Sequence, residues 1–511
     1  MPMQVYSYIE ILPAGAPVNL TAIPVLNYHD FSNQMAGLMH NETVHCVLYY
    51  AFPFNNGLKF IAVLADDASG KFLVFSHEPE NSTDTLTSLT PQMPALHLFE
   101  REIHENFGIG FEHHPWLKPV RFPADRFRKD QGMNDYPFYR IDSEELHEVG
   151  VGPIHAGVIE PGHFRFICNG EKVLHLEIQL GYQHRGIEKL FVEAGSTLRR
   201  SVLAENIAGD TAVGHAVTHA QLTESLAGIT ISETLQLERA IALELERIAV
   251  HIGDTAALCT DVAYQFGHVV NESLRTTIIN TTQLWCGNRF GKGLIRPGGT
   301  NYPLSAPVIE SMLKTLENTG MRYRDITDNI FTAPSILIRF DGIGSVTRSQ
   351  ALSIGAVGMA ARMTGVPRDI RATHPSGHYA EFKYEPVVEN SGDVLARAMI
   401  RNLEARRSIE MVAEWASLQS SVGSQQSSVF SLQSPVSSRR NCFVLAVNEG
   451  WRGEIAHAAV TGPEGEIIHY KIKDPSFHNW MALALAVRNQ EISDFPVCNK
   501  SFNLSYCGHD L

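Results

Sequence analysis

The sequence predicts an α+β chain in two unequal parts, a small α+β unit over residues 1–121 and a mainly α-helical region with small β elements over 149–511. Three features predict it. Near the N-terminus, β-branched and aromatic runs alternate with the turn-formers FNNG and DASG. From Leu237 onward, apolar residues recur in steps of three or four. Between the two lies the polar, Pro/Asp/Arg-rich FPADRFRKDQGMNDYP, which reads as a linker over 122–148. At 511 residues the chain is too long for one ordinary core.

Each element has its own warrant. Thr43–Phe52, Leu58–Asp66 and Lys71–Glu78 are predicted strands. Leu96, Phe99, Ile103 and Phe107 share one face of a following helix. The second part opens on a hairpin-like stretch, IHAGVIEPGHFRFICNGEKVLHLEI, with PG and NG at its turns. Thr230 and Glu233 then read as a capping box before Leu237, Ile241, Leu245, Ile248 and Ile252. Arg397 to Ala413 is another predicted helix. Residues 417–438 hold ten serines, one proline and no charge, the composition of a surface loop. A short β-rich segment from Cys442 to Ile472 leads to a last helix and an extended tail.

Composition narrows the function classes. With 44% hydrophobic and 19% charged residues the chain is globular in type. Its 41 Lys+Arg against 55 Asp+Glu, a net charge of −14, argue against nucleic acid as a partner. The best candidate for a membrane span, Ala351 to Ala361, is too short to cross a bilayer and ends at Arg362. MPMQVYSYIEILPAG lacks the basic start and apolar run of a secretory signal, so a cytoplasmic location is expected. Seven thinly spread cysteines fit a reducing compartment, and no two are spaced Cys-x-x-Cys. No nucleotide-binding glycine loop is present; GKGLIRPGG has the wrong spacing.

Several motifs carry a family resemblance. HENFGIGFEHHPWLKPVRFP (His104 to Pro123) resembles the signature of the 30-kDa subunit of respiratory complex I. GPIHAGVIEPGHFRF, LGYQHRGIEKLF, ELERIAVHIGDTAALCTDVAY, LIRPGG, GVPRDIRATHP, EGWRGE and KIKDPSFHNW follow in order. They resemble the large subunit of membrane-bound [NiFe] hydrogenases, homologous to the 49-kDa subunit of complex I. The fused arrangement is that of formate hydrogenlyase and hydrogenase-4 large subunits.

The resemblance implies where metal ligands would fall. Active relatives hang nickel and iron from four thiolates in two Cys-x-x-Cys pairs, soft donors suited to that centre. Setting His215 on the family histidine places Ala208 and Thr211 at the first pair. In SFNLSYCGHDL, alignment from the terminal Asp puts Leu504 and Cys507 at the second. One ligand of four is a cysteine, so no metal is expected and hydrogen chemistry is not. Quinone reduction in complex I implies a hairpin histidine, here His155, and a tyrosine, whose position carries Gly209. The neighbouring Asp210 is an acceptor when ionised and does not replace a phenol donor.

These residues admit plain readings beside functional ones. His155 is a proton donor in a cavity or a hairpin residue satisfying a carbonyl. Asp210 lines a pocket or caps a helix. His215 and His219, spaced i,i+4, share a helix face and pack against neighbouring helices. Thr211 and Cys507 line the vestigial cavity with them, Cys507 as a redox-active thiol or a small apolar residue. Arg452 and Glu454 form a salt bridge or a relay. His147, His155 and His163, eight apart, have no metal-ligand spacing. Strand alternation makes Glu177 solvent-facing, although the resemblance allows it a place on a proton path.

The expected function is a subunit of a membrane-associated, complex I-like, redox-driven ion-translocating complex without its own nickel-iron centre. The alternatives are a quinone or other small-acceptor reductase fed by a neighbouring iron–sulfur subunit, and a non-catalytic scaffold. By resemblance the partners are a small iron–sulfur subunit of the complex I 20-kDa kind, a ferredoxin-like subunit and antiporter-like membrane subunits. This chain binds no cofactor of its own in that reading; iron–sulfur clusters belong to the partners, and quinone is the alternative occupant. It lies on the inner face of the cell membrane, held through those partners.

Overall fold

The computed structural model describes residues 7–13, 15–80, 85–157, 159–422 and 439–511. The strands Val44–Phe54, Gly57–Asp66 and Lys71–His77 form an antiparallel meander, as the sequence predicts. Their long apolar runs carry two alternating sets of side chains. Tyr49, Phe60, Leu64 and Phe75 meet the helices Tyr28–Met39 and His97–Phe107. Tyr50, Phe52, Ile61, Val63 and Val74 meet Phe443, Leu445, Ala456, Ala458 and Val460 of a second, C-terminal sheet. A sheet covered on both faces has no polar side, hence the unbroken apolar sequence.

The C-terminal sheet runs Ile467–Lys473, Glu454–Thr461, Cys442–Glu449 and, at its edge, Val18–Asn19. The first residues of the chain thus complete a sheet made by the last. Buried ion pairs reinforce the seam. Glu102, on the helix His97–Phe107, meets Lys471 and Arg121, and His45 meets Glu454 at 2.8 Å.

The hairpin sheet His147–Val151, His163–Asn169 and Lys172–Gln179 follows, with the NG pair at its second turn. Glu177 corrects the alternation argument, being 1% exposed. Segments ahead of the hairpin fold over it, so Lys118 Nζ lies 2.5 Å from its carboxylate and Tyr139 N donates at 2.7 Å.

The remainder is helical around one core, built on Glu233–Asp261, Gln265–Cys286, Ala306–Ile330 and Val394–Val422. The cap of Glu233–Asp261 is Ser232, whose hydroxyl accepts from Leu235 N, not the Thr230–Glu233 box. The extended backbone at Ser232 brings its hydroxyl to the third helical amide. The predicted loop at 417–438 is also corrected in part. Residues 417–422 continue the helix Val394–Val422, and 423–438 lie outside the described residues. Among the described residues, no helix is long and apolar enough to cross a membrane.

Candidate functional site

The site forms where four distant segments meet: the turn before the helix Ala212–Ala227, the Trp451–Glu454 turn, the C-terminal helix Tyr506–Asp510 and the loop residues 159–162. Asp210 faces Arg452, whose Nη1 and Nη2 lie 2.7 and 2.5 Å from its two oxygens. Such a two-point fork fixes both partners in orientation as well as distance. Thr211 Oγ1 joins it, 3.1 Å from both Asp210 Oδ1 and Arg452 Nη1. Arg452 Nε donates to Asn503 O at 2.5 Å, and the guanidinium stacks 3.9 Å over the Trp451 ring. Trp451 Nε1 in turn holds the Asp210 carbonyl at 2.9 Å.

Asp210 is not the helix cap. The first amides of the helix Ala212–Ala227 are met instead by Glu246, which accepts from Val213 N at 2.8 Å and Gly214 N at 3.1 Å. Burial pushes the Glu246 carboxyl up to about 8, against the pull of those two donors. Gly209, Asp210 and Glu246 line a small, largely apolar pocket bordered by Leu245, Ile279 and Phe290, with Arg275 and Arg289 at its rim.

Cys507 sits beside this knot. Its thiol lies 3.4 Å from Ser505 Oγ, and burial, with Glu160 nearby, pushes it up to about 11. At neutral pH it is a protonated, buried thiol. His155 comes to the site only indirectly: its Nε2 bonds Gly162 O at 2.8 Å, while Glu160 of the same loop reaches Cys507 N at 3.4 Å.

His215 turns the other way. Its partners are not neighbouring helices but Asp474, at 3.2 Å, and His457, on the strand Glu454–Thr461, at 3.1 Å. The helix face carrying His215 and His219 lies on the C-terminal sheet, so strands supply the partners. The structure therefore joins Asp210, Thr211 and Arg452, sets Cys507 near them, and leaves His155 and His215 on separate flanks.

Sequence motifs that are far apart meet behind the site. Arg371 of GVPRDIRATHP lies 3.1 Å from Glu244 of ELERIAVHIGD, and His251 lies 2.9 Å from Glu404. Arg362 pairs with Glu404 and Glu449 at 2.8 Å each. Asn503 Nδ2 donates to Asp254 at 2.7 Å, and Arg401 pairs with Asp254 at 2.9 Å. Polar contacts thus continue from Arg452 into the helical core, and the motif spacing explains itself as paired charges.

The fold and site define a class: a complex I-like subunit related to the large subunit of membrane-bound hydrogenases. Residues 31–137 match the family described as respiratory-chain NADH dehydrogenase, 30 Kd subunit, and 261–434 match the 49 Kd subunit. One polypeptide thus carries a match to each of these two subunits, in that order. It is 25% identical to formate hydrogenlyase subunit 5 of Escherichia coli (strain K12), over 90% of this chain and 81% of that protein. Carbon monoxide-induced hydrogenase of Rhodospirillum rubrum is 28% identical over 70% of this chain and 97% of its own. An NADH-quinone oxidoreductase subunit of Dehalococcoides mccartyi is 28% identical over 68% and 93%. A chain from the membrane-bound sulfane sulfur reductase, an archaeal respiratory membrane complex, shares the fold with a TM-score of 0.66. That match is 21% identical and covers 73% of this chain and 100% of that one.

Proposed function

We propose that this chain is the acceptor-site subunit of a membrane-associated, redox-driven ion-translocating complex and holds no nickel-iron centre. The observation that carries the reading is the Asp210–Arg452 clamp, closed by Thr211, at the place where relatives' thiolates are aligned. The four aligned positions offer the methyl of Ala208, the already bonded hydroxyl of Thr211, the hydrocarbon of Leu504 and the neutral thiol of Cys507. This donor set does not fit the centre.

In this reading the site works by charge. A charge change in the pocket is felt first by Asp210, then by Arg452, and through Asn503 by Asp254 and Arg401. Electrons arrive on iron–sulfur clusters of a small partner subunit and a ferredoxin-like subunit, and antiporter-like subunits hold the assembly at the inner face of the membrane.

The pocket beside Asp210 favours a second reading, reduction of a quinone or other small acceptor, because its wall is mainly apolar, with the carboxyls of Asp210 and Glu246 and the guanidiniums of Arg275 and Arg289 set into it. Purified assembly assayed for proton reduction and for reduction of quinone analogues separates the two. The first reading expects neither activity in this subunit. Quinone turnover that collapses in His155→Ala would establish the second, and hydrogen evolution would overturn both.

A further inference from the structure

Behind the clamp, five buried side chains form an unbroken line that neither reading uses. Asp474 Oδ2 lies 3.2 Å from His215 Nε2, and His215 Nδ1 lies 3.1 Å from His457 Nε2. His457 Nδ1 lies 2.9 Å from Tyr470 Oη, which is 3.0 Å from His219 Nδ1. Exposures are 0% for His215, His457 and Tyr470 and 1% for His219 and Asp474. The line continues at 3.5 Å from His219 Nε2 to the half-buried hydroxyl of Thr223. Phe191 covers it, stacked on Tyr470 at 4.3 Å with its edge on His219.

Each ring nitrogen of the three histidines has a polar atom within 3.5 Å, although the Thr223 hydroxyl also donates to the His219 carbonyl at 2.9 Å, and the direction of the donors is set from the Asp474 end. Burial opposes charge on Asp474, but the bond from His215 holds its carboxyl below the ordinary range, so it is ionised and accepts. With His215 neutral, its Nδ1 accepts from His457 Nε2–H. His457 Nδ1 then accepts from the Tyr470 hydroxyl, and Tyr470 Oη accepts from His219 Nδ1–H. All arrows point to Asp474.

We propose that this line is a proton relay leading from the Thr223 face of the helix Ala212–Ala227 to the His215–Asp474 pair beneath the functional site. A proton taken up at His219 Nε2 lets His219 Nδ1 pass its own proton to Tyr470. Tyr470 passes its hydroxyl proton to His457 Nδ1, and His457 Nε2 passes its proton to His215 Nδ1. One bond to hydrogen breaks and one forms at each link. The result is one proton on His215 beside ionised Asp474, with every arrow reversed except that from His215 Nε2–H to Asp474. The inner end abuts the C-terminal helix: a Cβ added to Gly508 would lie 2.7 Å from Asp474 Cγ. The relay does not depend on which acceptor the assembly uses.

The test is nitrogen NMR on the full chain carrying ¹⁵N-histidine. The expected tautomers are Nε2–H at His215 and His457 and Nδ1–H at His219. In Tyr470→Phe, solvent exchange of the His215 and His457 ring protons should slow by about tenfold or more, the backbone amides of the same helix keeping their protection. Two results would overturn the proposal: neutral His457 carrying its proton on Nδ1 beside neutral His215, or ring-proton exchange unchanged in Tyr470→Phe. Thr223→Val, at the outer end, guards against misfolding of the tyrosine variant. It should slow the same two protons, and unchanged exchange there also contradicts the relay.

Discussion

Replacing Glu102 by Gln should destabilise the chain by about 3 kcal/mol at neutral pH. Glu102 joins the N-terminal unit to the C-terminal sheet: Lys471 Nζ lies 2.7 Å from each of its oxygens, and Arg121 takes the same carboxylate. All three side chains are buried at 5% exposure or less. Burial raises the cost of the charge, but Lys471 and Arg121 outweigh it and hold the carboxyl at about 2 rather than 4.5. At about 1.4 kcal/mol per pH unit, that difference gives about 3 kcal/mol. Breaking one partner of a buried pair costs about 3–5 kcal/mol, the same range. Lys471 keeps a second partner, Glu188, at 3.1 Å, which favours the lower end. Urea is the denaturant of choice, because guanidinium chloride would screen the charges. A depressed carboxylate stabilises above its unfolded value and loses that contribution as pH falls. The gap between wild type and Glu102→Gln should therefore be flat above pH 4.5 and close toward pH 2. A gap under about 1 kcal/mol at pH 7, or one that does not close in acid, would refute the reasoning.

Three further outcomes follow from the same geometry. Gly358 has φ of 59°, and a Cβ there would lie 2.2 Å from the Arg452 carbonyl oxygen. Gly358→Ala should lower stability by about 1–3 kcal/mol in urea melts and expose Trp451 to fluorescence quenchers as Arg452 shifts. Burial pushes His219 down to about 3 from 6.5, so the unfolded chain binds more protons between those values and stability falls as pH drops through them. His219→Gln should remove about 1.4 kcal/mol per pH unit from that slope, read from urea midpoints at pH 6.5 and 5. Cys507, its thiol at about 11, should resist iodoacetamide at pH 8 in the folded chain and react on unfolding, as mass mapping would show.

The sequence made the elements legible and left their pairing obscure. Apolar runs and turns located the three strands between Val44 and His77 to within about two residues. Helical periodicity found the helix Glu233–Asp261, while its cap was missed because Ser232 and Thr230 are both eligible residues in one short polar stretch. Glu177 was misplaced because alternation assumes one wet face, and Lys118 and Tyr139 cover that face from outside the hairpin. In the site, Asp210, Thr211 and Cys507 were marked by their alignment to lost ligands, and Arg452 by its turn. Nothing local announces that Asp210 and Arg452, 242 positions apart, form a clamp. Glu246 was hidden among the polar residues of an amphipathic helix, since its role depends on where another helix starts. His457, Tyr470 and Asp474 were invisible for the same reason: a relay is a property of packing, not of spacing.

In the proposed reading a charge clamp stands where relatives' metal ligands are aligned. Nickel quantified by mass spectrometry in the assembly, purified from cells grown with nickel, tests it most directly. Nickel is expected far below one atom per chain, unchanged in Asp210→Asn. One nickel per chain, retained through purification, would contradict it.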